Sequence, residues 1–189
     1  CLDKTGTLTD GTRKVDERLL IDGTHNRDDL VGSYLSAFQE NNQTSIALSQ
    51  RFPLKNTYTS INKLPFSSSR KYSAVEFKDI GTFILGAPEY LYKGRDKTRT
   101  SYIEKKQQEG YRVVRICKVD GQIREDGVKG KISPIAVFTL EDHIREQAPE
   151  TIKWFTDNGV DIKIISGDNP LTASEIAKKC KVPNAEKCV

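Results

Sequence analysis

Near the start of the chain, Asp3-Lys4-Thr5-Gly6-Thr7-Leu8-Thr9 gathers the residue types that group transfer needs. One carboxylate stands among hydroxyls and a glycine, directly after a Cys-Leu pair that reads as the end of a buried strand. Open α/β sheets place their ligands at the C-terminal tips of parallel strands, and a carboxylate there can act as a covalent nucleophile. Phosphoryl transfer in particular asks for positioning and charge neutralisation. Lys4, the Thr5 and Thr7 hydroxyls and the Gly6 amide are the donors within reach of that task. A second candidate, Ser166-Gly167-Asp168, follows the strand read at Asp161–Ile165. A hydroxyl and a glycine amide at a strand's end suit a phosphate oxygen, although SGD in isolation reads equally well as a helix N-cap. Asp142, in Asp142-His143-Ile144-Arg145, has the same N-cap alternative. GxGxxG is absent, and Gly130-Lys131-Ile132-Ser133 imitates a phosphate loop without the hydroxyl directly after its lysine.

These residues need elements to hold them. Thr12 to Gly23 reads as a strand and turn. Asn26 to Asp29 offers N-caps for a helix carrying Leu30, Val31, Tyr34, Leu35 and Phe38 on one face, and a second helix over Ser45–Phe52 stops at Pro53. Tyr72–Phe77 and Thr82–Leu85 bracket a turn and predict an antiparallel hairpin. Pro88–Tyr92 predicts a short helix, and Thr100–Glu109 a longer one closed by Gly110. Asp120-Gly121 predicts a hairpin turn after a Tyr111–Lys118 strand. From Lys131 onward the style changes. An apolar strand at Ile132–Leu140, a helix over Arg145–Asn158 ending at Gly159, a strand at Val160–Ile165 and a helix at Asn169–Lys181 alternate as in a parallel, doubly wound sheet.

The 189 residues are 36% hydrophobic and 30% charged, which allows one or two cored domains and excludes disorder. Thirty basic and 26 acidic residues are interspersed for a net charge of +4, which gives no pull toward nucleic acid. No apolar run approaches the roughly 18 residues of a membrane helix, and no signal peptide is legible. Cys1, Cys117, Cys180 and Cys188 form no CxxC pair and predict reduced thiols without a disulfide partner.

The opening heptapeptide closely resembles the phosphorylation signature of the P-type ATPases, the ion-pumping branch of the haloacid-dehalogenase-like superfamily. Further segments resemble that family in the same order. Ser166-Gly167-Asp168 with Thr172-Ala173 is similar to its TGD…TA motif, and Asp142 to Arg145 to its hinge motif. Phe66-Ser67-Ser68-Ser69-Arg70-Lys71 and Gly86-Ala87-Pro88-Glu89 resemble its adenine-site segments, and Gly110-Tyr111-Arg112 the segment whose arginine bridges toward the β-phosphate. The resemblance implies a fold of α/β and α+β type: a partial Rossmann-like phosphorylation domain (1–11 and 131–189) with an inserted antiparallel-sheet-plus-helices nucleotide-binding domain (12–130).

It further implies that Asp3 accepts the γ-phosphate of ATP, with Lys4 and Thr5 as catalytic neighbours. Asp3 and the Thr5 carbonyl would hold Mg2+, and Thr5, Gly6, Ser166, Gly167 and Asp168 would contact phosphate. Phe66, Ser68, Arg70, Lys71, Gly86, Ala87, Arg112, Asp142 and Arg145 would surround the nucleotide. Related phosphatases carry a second aspartate where Thr5 stands; its loss favours a long-lived phosphoenzyme and hence a pump over a soluble phosphatase. Leu85 stands where many relatives have lysine and Ser45 where they have glutamate, so weak nucleotide affinity or a degenerate domain is the alternative expectation. The proline often found between the hinge Asp and Arg is absent from Asp142-His143-Ile144-Arg145, which leaves the hinge less stiff. The chain stops before the family's later Gly-Asp-Gly-x-Asn-Asp segment, so the expectation for it alone is little turnover. Transmembrane and actuator domains of the same polypeptide are the implied partners, and the cytoplasmic face of a membrane, the plasma membrane, is the implied location. The transported ion is not legible.

Overall fold

The computed structural model describes residues 1–21, 23, 25–38, 42–91 and 97–187. Tyr92 and Cys188, which figure in the reading above, lie outside the described residues. In chain order the elements are β1 (Leu2–Asp3), β2 (Thr9–Leu20), α1 (Arg27–Phe38), α2 (Gln43–Arg51), β3 (Ser60–Leu64), β4 (Tyr72–Phe77), β5 (Gly81–Gly86) and α3 (Pro88–Leu91). They continue with α4 (Lys97–Gln108), β6 (Arg112–Asp120), β7 (Ile123–Arg124), β8 (Gly127–Val128), β9 (Lys131–Ile144), α5 (Ala148–Asp157), β10 (Ile164–Ile165) and α6 (Pro170–Lys179). Two compact units result: Cys1–Lys14 with Lys97–Arg112 and Leu140–Val189, and Val15–Asp96 with Val113–Thr139.

In the first unit β1 and β10 pair in parallel, Leu2 opposite Ile164 and Asp3 opposite Ile165. The core beneath them gathers Leu8, Ile152, Ile176 and Cys180, with Leu2, Ile144 and Ile164 packed against it. Helix α5 ends at Gly159, whose φ of 75° is left-handed. Asn169 caps α6, accepting from the Leu171 amide at 2.9 Å. Because Asn169 fills that role, Asp168 keeps its carboxylate for other partners.

The second unit is built on the six-stranded sheet β2-β9-β6-β5-β4-β3. The predicted hairpin is present, with Tyr72 opposite Gly86 and Phe77 opposite Gly81. Helix α1 begins where the amides of Asp28 and Asp29 donate to the Asn26 side chain, and buries Leu30, Val31, Tyr34 and Leu35. Helix α2 is capped by Asn42 and ends at Phe52 before Pro53. Phe52 and Phe138 meet edge to face with ring centres 5.2 Å apart.

Three expectations about elements need correction. Ile132–Leu140 does not join a parallel sheet; it is part of β9, between β2 and β6. A continuous apolar run marks a strand covered on both faces, and nothing in such a run names its neighbours. Asp120-Gly121 does not form a tight hairpin either, because the short β7–β8 ribbon intervenes before β9. There a Cβ on Gly121 would come within 2.1 Å of the Lys129 carbonyl oxygen, so glycine permits the two backbones to close. Finally, α5 starts at Ala148 rather than Arg145, because β9 runs on to Ile144.

Candidate active site

The signature loop leaves β1 at Asp3 and folds back on itself. The Lys4 carbonyl accepts from the amides of Leu8 and Thr9 at 3.1 and 3.2 Å. Gly6, at φ 85°, makes the reversal in a region that side chains with a Cβ avoid. Asp3, Thr5, Gly6 and Thr7 are exposed, whereas Leu8 anchors the loop in the core. Asp3 therefore stands at the strand tip in contact with solvent.

Lys4 turns the other way and is 0% exposed. Its ammonium is paired with Asp142 and lies 2.8 Å from Asp168 Oδ2. Asp142, buried within β9, takes Lys4 on one oxygen and Arg13 Nε on the other. Asp168 Oδ1 accepts from Arg112 Nη1 at 2.7 Å. The result is a ladder of alternating sign, Arg13–Asp142–Lys4–Asp168–Arg112, with three cations against two carboxylates. Burial alone would push the Asp168 carboxyl up, but Arg112 and Lys4 together hold it below the ordinary carboxylate range.

Of the remaining motif residues of this unit, Arg145 clasps the same loop and the others pack beside it. Arg145 donates to the Gly6 carbonyl from its side chain and to the Leu8 carbonyl from its amide, both at 3.0 Å. His143 Nδ1 lies 2.8 Å from Asp10 Oδ2. Ser166 accepts from the Asp168 amide at 3.2 Å, and Gly167 is exposed beside it. Gly110 approaches α6 closely, since a Cβ there would sit 3.2 Å from that of Glu175, and the Tyr111 carbonyl accepts from the buried Thr172 hydroxyl at 3.0 Å. The signature, the hinge segment, SGD and Gly110-Tyr111-Arg112 thus converge. For Asp142 the N-cap alternative falls away, because it lies inside a strand.

Arg13 escaped the sequence reading, although it is only 8% exposed. In the structure Thr9, Gly11 and Arg13 share the buried face of β2 while Asp10, Thr12 and Lys14 face solvent, but no apolar alternation in the sequence marks that face.

In the second unit the Phe66–Lys71 loop and Gly86-Ala87 lie together. Gly86 faces the Lys71 carbonyl and Tyr72 at distances no Cβ would tolerate, and the Ala87 amide donates to the Lys71 carbonyl at 3.0 Å. Phe66 is 47% exposed. Ser68 is exposed, while Ser67 and Ser69 bond each other at 2.7 Å. Arg70 donates to the Pro65 carbonyl at 2.7 Å, and its Nε is buried without a partner. Leu85 is buried, and Ser45 lies in the first turn of α2, with its amide bonded to Asn42. No group of three or more His, Cys, Asp or Glu side chains among the described residues could hold a metal ion.

The description "haloacid dehalogenase-like hydrolase" matches residues 1–184. The chain belongs to that family. Among curated proteins it is similar to the probable cation-transporting ATPase exp7 of Streptococcus pneumoniae, 36% identical over 184 residues, which is 95% of this chain and 23% of the relative. It is similar also to the calcium-transporting ATPase CtpE of Mycobacterium tuberculosis, at 29% over 182 residues (95% and 23%), and to the potassium-transporting ATPase ATP-binding subunit of Enterococcus faecalis, at 25% over 197 (96% and 27%). The chain therefore spans about a quarter of the length of these relatives. No helix among its described residues is long and apolar enough to cross a membrane.

Proposed function

We propose that this haloacid dehalogenase-like chain is the catalytic portion of a P-type cation-transporting ATPase and that Asp3 is its phosphate acceptor. One observation carries the reading: the four motif segments of the first unit meet at the buried Lys4 ion ladder, and the residue before Lys4, Asp3, stands exposed at the tip of a parallel strand. A carboxylate oxygen of Asp3 attacks the γ-phosphorus of ATP, the bond from that phosphorus to the β–γ bridging oxygen breaks, and ADP leaves. Thr5 offers no carboxylate to activate water, so the acyl phosphate persists until a conformational change admits hydrolysis.

In this reading Lys4 positions the loop rather than touching phosphate, since its fully buried ammonium is already held by two carboxylates. Exposed Thr5, Gly6 and Gly167 and half-buried Ser166 supply hydroxyl and amide donors, while Asp168 holds Lys4 and Arg112 in register. Arg145 fixes the Gly6 carbonyl, and Asp142 anchors the hinge. For Mg2+ the fitting donors are hard oxygens, the Asp3 carboxylate and the Thr5 carbonyl. Two protein oxygens suit an ion that commonly retains waters and binds substrate phosphates. When bound it would neutralise charge between nucleophile and nucleotide.

In this reading the nucleotide site lies in the second unit, and the first unit is the phosphorylation domain. Phe66 stacks on adenine, Lys71, Gly86 and Ala87 line the pocket, and Ser68 closes its rim. The unpartnered Nε gives Arg70 a donor in want of an acceptor. Arg112 exchanges Asp168 for the β-phosphate when the nucleotide arrives. The relatives named for calcium and potassium transport support a cation-pumping polypeptide with transmembrane and actuator domains, this portion lying at the cytoplasmic face of a membrane such as the plasma membrane. They do not agree on one ion. Titrating the chain with ATP while recording amide NMR spectra tests the nucleotide site: shifts centred on Phe66 to Lys71 and Gly86 are expected, and shifts confined to residues 131–189 would refute it.

A further inference from the structure

The β7–β8 ribbon takes no part in the chemistry described so far, yet its contacts lead into the Phe66–Lys71 loop. Ile123 and Val128 pack, beside Tyr72, over buried Ala74, Ile84 and Cys117. Tyr72 is the first residue of β4, directly after Lys71, and its hydroxyl accepts a hydrogen bond from the Val128 amide at 3.2 Å. Gly127 is buried with φ 139°, and a Cβ on it would stand 2.8 Å from Tyr72 Oη and 3.9 Å from Arg70 Cδ. Only a glycine lets the ribbon come this close. Beyond Tyr72, Lys71 adopts φ 60°, a left-handed conformation that a lysine keeps only when its surroundings impose it. Those surroundings are the Ser67 carbonyl, which receives the Lys71 amide at 2.7 Å, and the Ala87 amide on the Lys71 carbonyl. Arg70 closes the loop across to Pro65. An exposed ring such as Phe66 has little packing of its own to fix it, so its direction depends on the loop behind it.

We propose that the β7–β8 ribbon is a positioning element for this loop, with Tyr72 and Gly127 as positioning residues that touch no nucleotide. The proposal rests on the nucleotide-site reading above. Through it the ribbon sets the fraction of time that Phe66 and Lys71 are arranged to receive a purine, and that fraction scales the apparent affinity. Its tip, Glu125-Asp126, is exposed, so a change there would reach the site through Tyr72.

Two substitutions test this in the full chain. Tyr72→Phe keeps the ring and its packing and deletes only the hydroxyl. Gly127→Ala drives a methyl group toward that hydroxyl. Calorimetric titration with ATP should show binding roughly fivefold weaker for Tyr72→Phe, the ratio expected from one lost hydrogen bond, and weaker still for Gly127→Ala. Amides of Phe66 to Lys71 should shift before any ATP is added, while the thermal midpoint of Tyr72→Phe and the amides of β6 stay close to wild type. A merely structural role would lower the midpoint and disturb the sheet as a whole. Wild-type affinity in Tyr72→Phe together with unmoved loop amides would overturn the proposal. A wild-type chain that binds no ATP, or binds it away from Phe66, would instead overturn the reading beneath it, while the loop amides of the variants still test the ribbon's hold.

Discussion

Replacing Asp142 by asparagine keeps the shape of the side chain and removes its charge. Both of its oxygens face cations, Lys4 at 0% and Arg13 at 8% exposure. After the change Arg13 has lost the carboxylate it pairs with, and Lys4 keeps Asp168 at 2.8 Å. Removing one partner from a buried ion pair costs about 3–5 kcal/mol. Because Lys4 retains a carboxylate, the lower end, about 3 kcal/mol, is expected. At the size of this chain that lowers the thermal midpoint by ~6–12 °C. Lys4→Met should cost less, since it leaves two balanced pairs, Arg13–Asp142 and Asp168–Arg112, rather than two positive charges in excess. Urea unfolding followed by circular dichroism, with the slope unchanged, measures both. If Asp142→Asn falls within about 0.5 kcal/mol of wild type, or Lys4→Met proves the more damaging, the ladder does not hold the site together as argued.

Gly6→Ala should cost about 1–2 kcal/mol by the same urea measurement. A Cβ at Gly6 meets nothing within 4 Å, so the whole cost would come from φ 85°. The depressed carboxyl of Asp168 makes stability depend on acid: the unfolded chain binds its proton first, near the ordinary carboxylate value of about 3.9. The contribution of Asp168 is therefore complete above that pH and is lost as pH falls through its lower folded value, and a pH series of urea midpoints should flatten there in Asp168→Asn. Burial pushes the Cys117 thiol up to about 12, so at pH 8 iodoacetamide should label exposed Cys1 and spare Cys117 until the chain unfolds.

How much of this was legible in the sequence varies with the kind of signal. The α1 cap and the β4–β5 hairpin follow from local chemistry, the Asn26 side chain and the turn between two apolar runs, and both appear in place. Helix α2, by contrast, begins two residues before the predicted Ser45, at a cap from Asn42 that the sequence reading did not name. The catalytic candidates of the first unit were legible as short strings of residues. Their wiring was not, because Lys4 and Asp142 stand 138 positions apart and nothing local says that they touch. Arg13 looked like any charged residue on a strand, and its burial depends on a carboxylate contributed by β9. Ile132–Leu140 announced a strand through its apolar run but not its neighbours, because the sheet it joins is decided by long-range pairing. The β7–β8 ribbon left only glycines as a trace, and their meaning lies in what approaches them.

The most direct test uses the intact polypeptide that carries this chain. Brief exposure to γ-labelled ATP and Mg2+, an acid quench and peptide mapping should find an acid-stable, hydroxylamine-labile phosphate on Asp3, absent from Asp3→Asn. Label on another residue, or label that survives Asp3→Asn, would contradict the account.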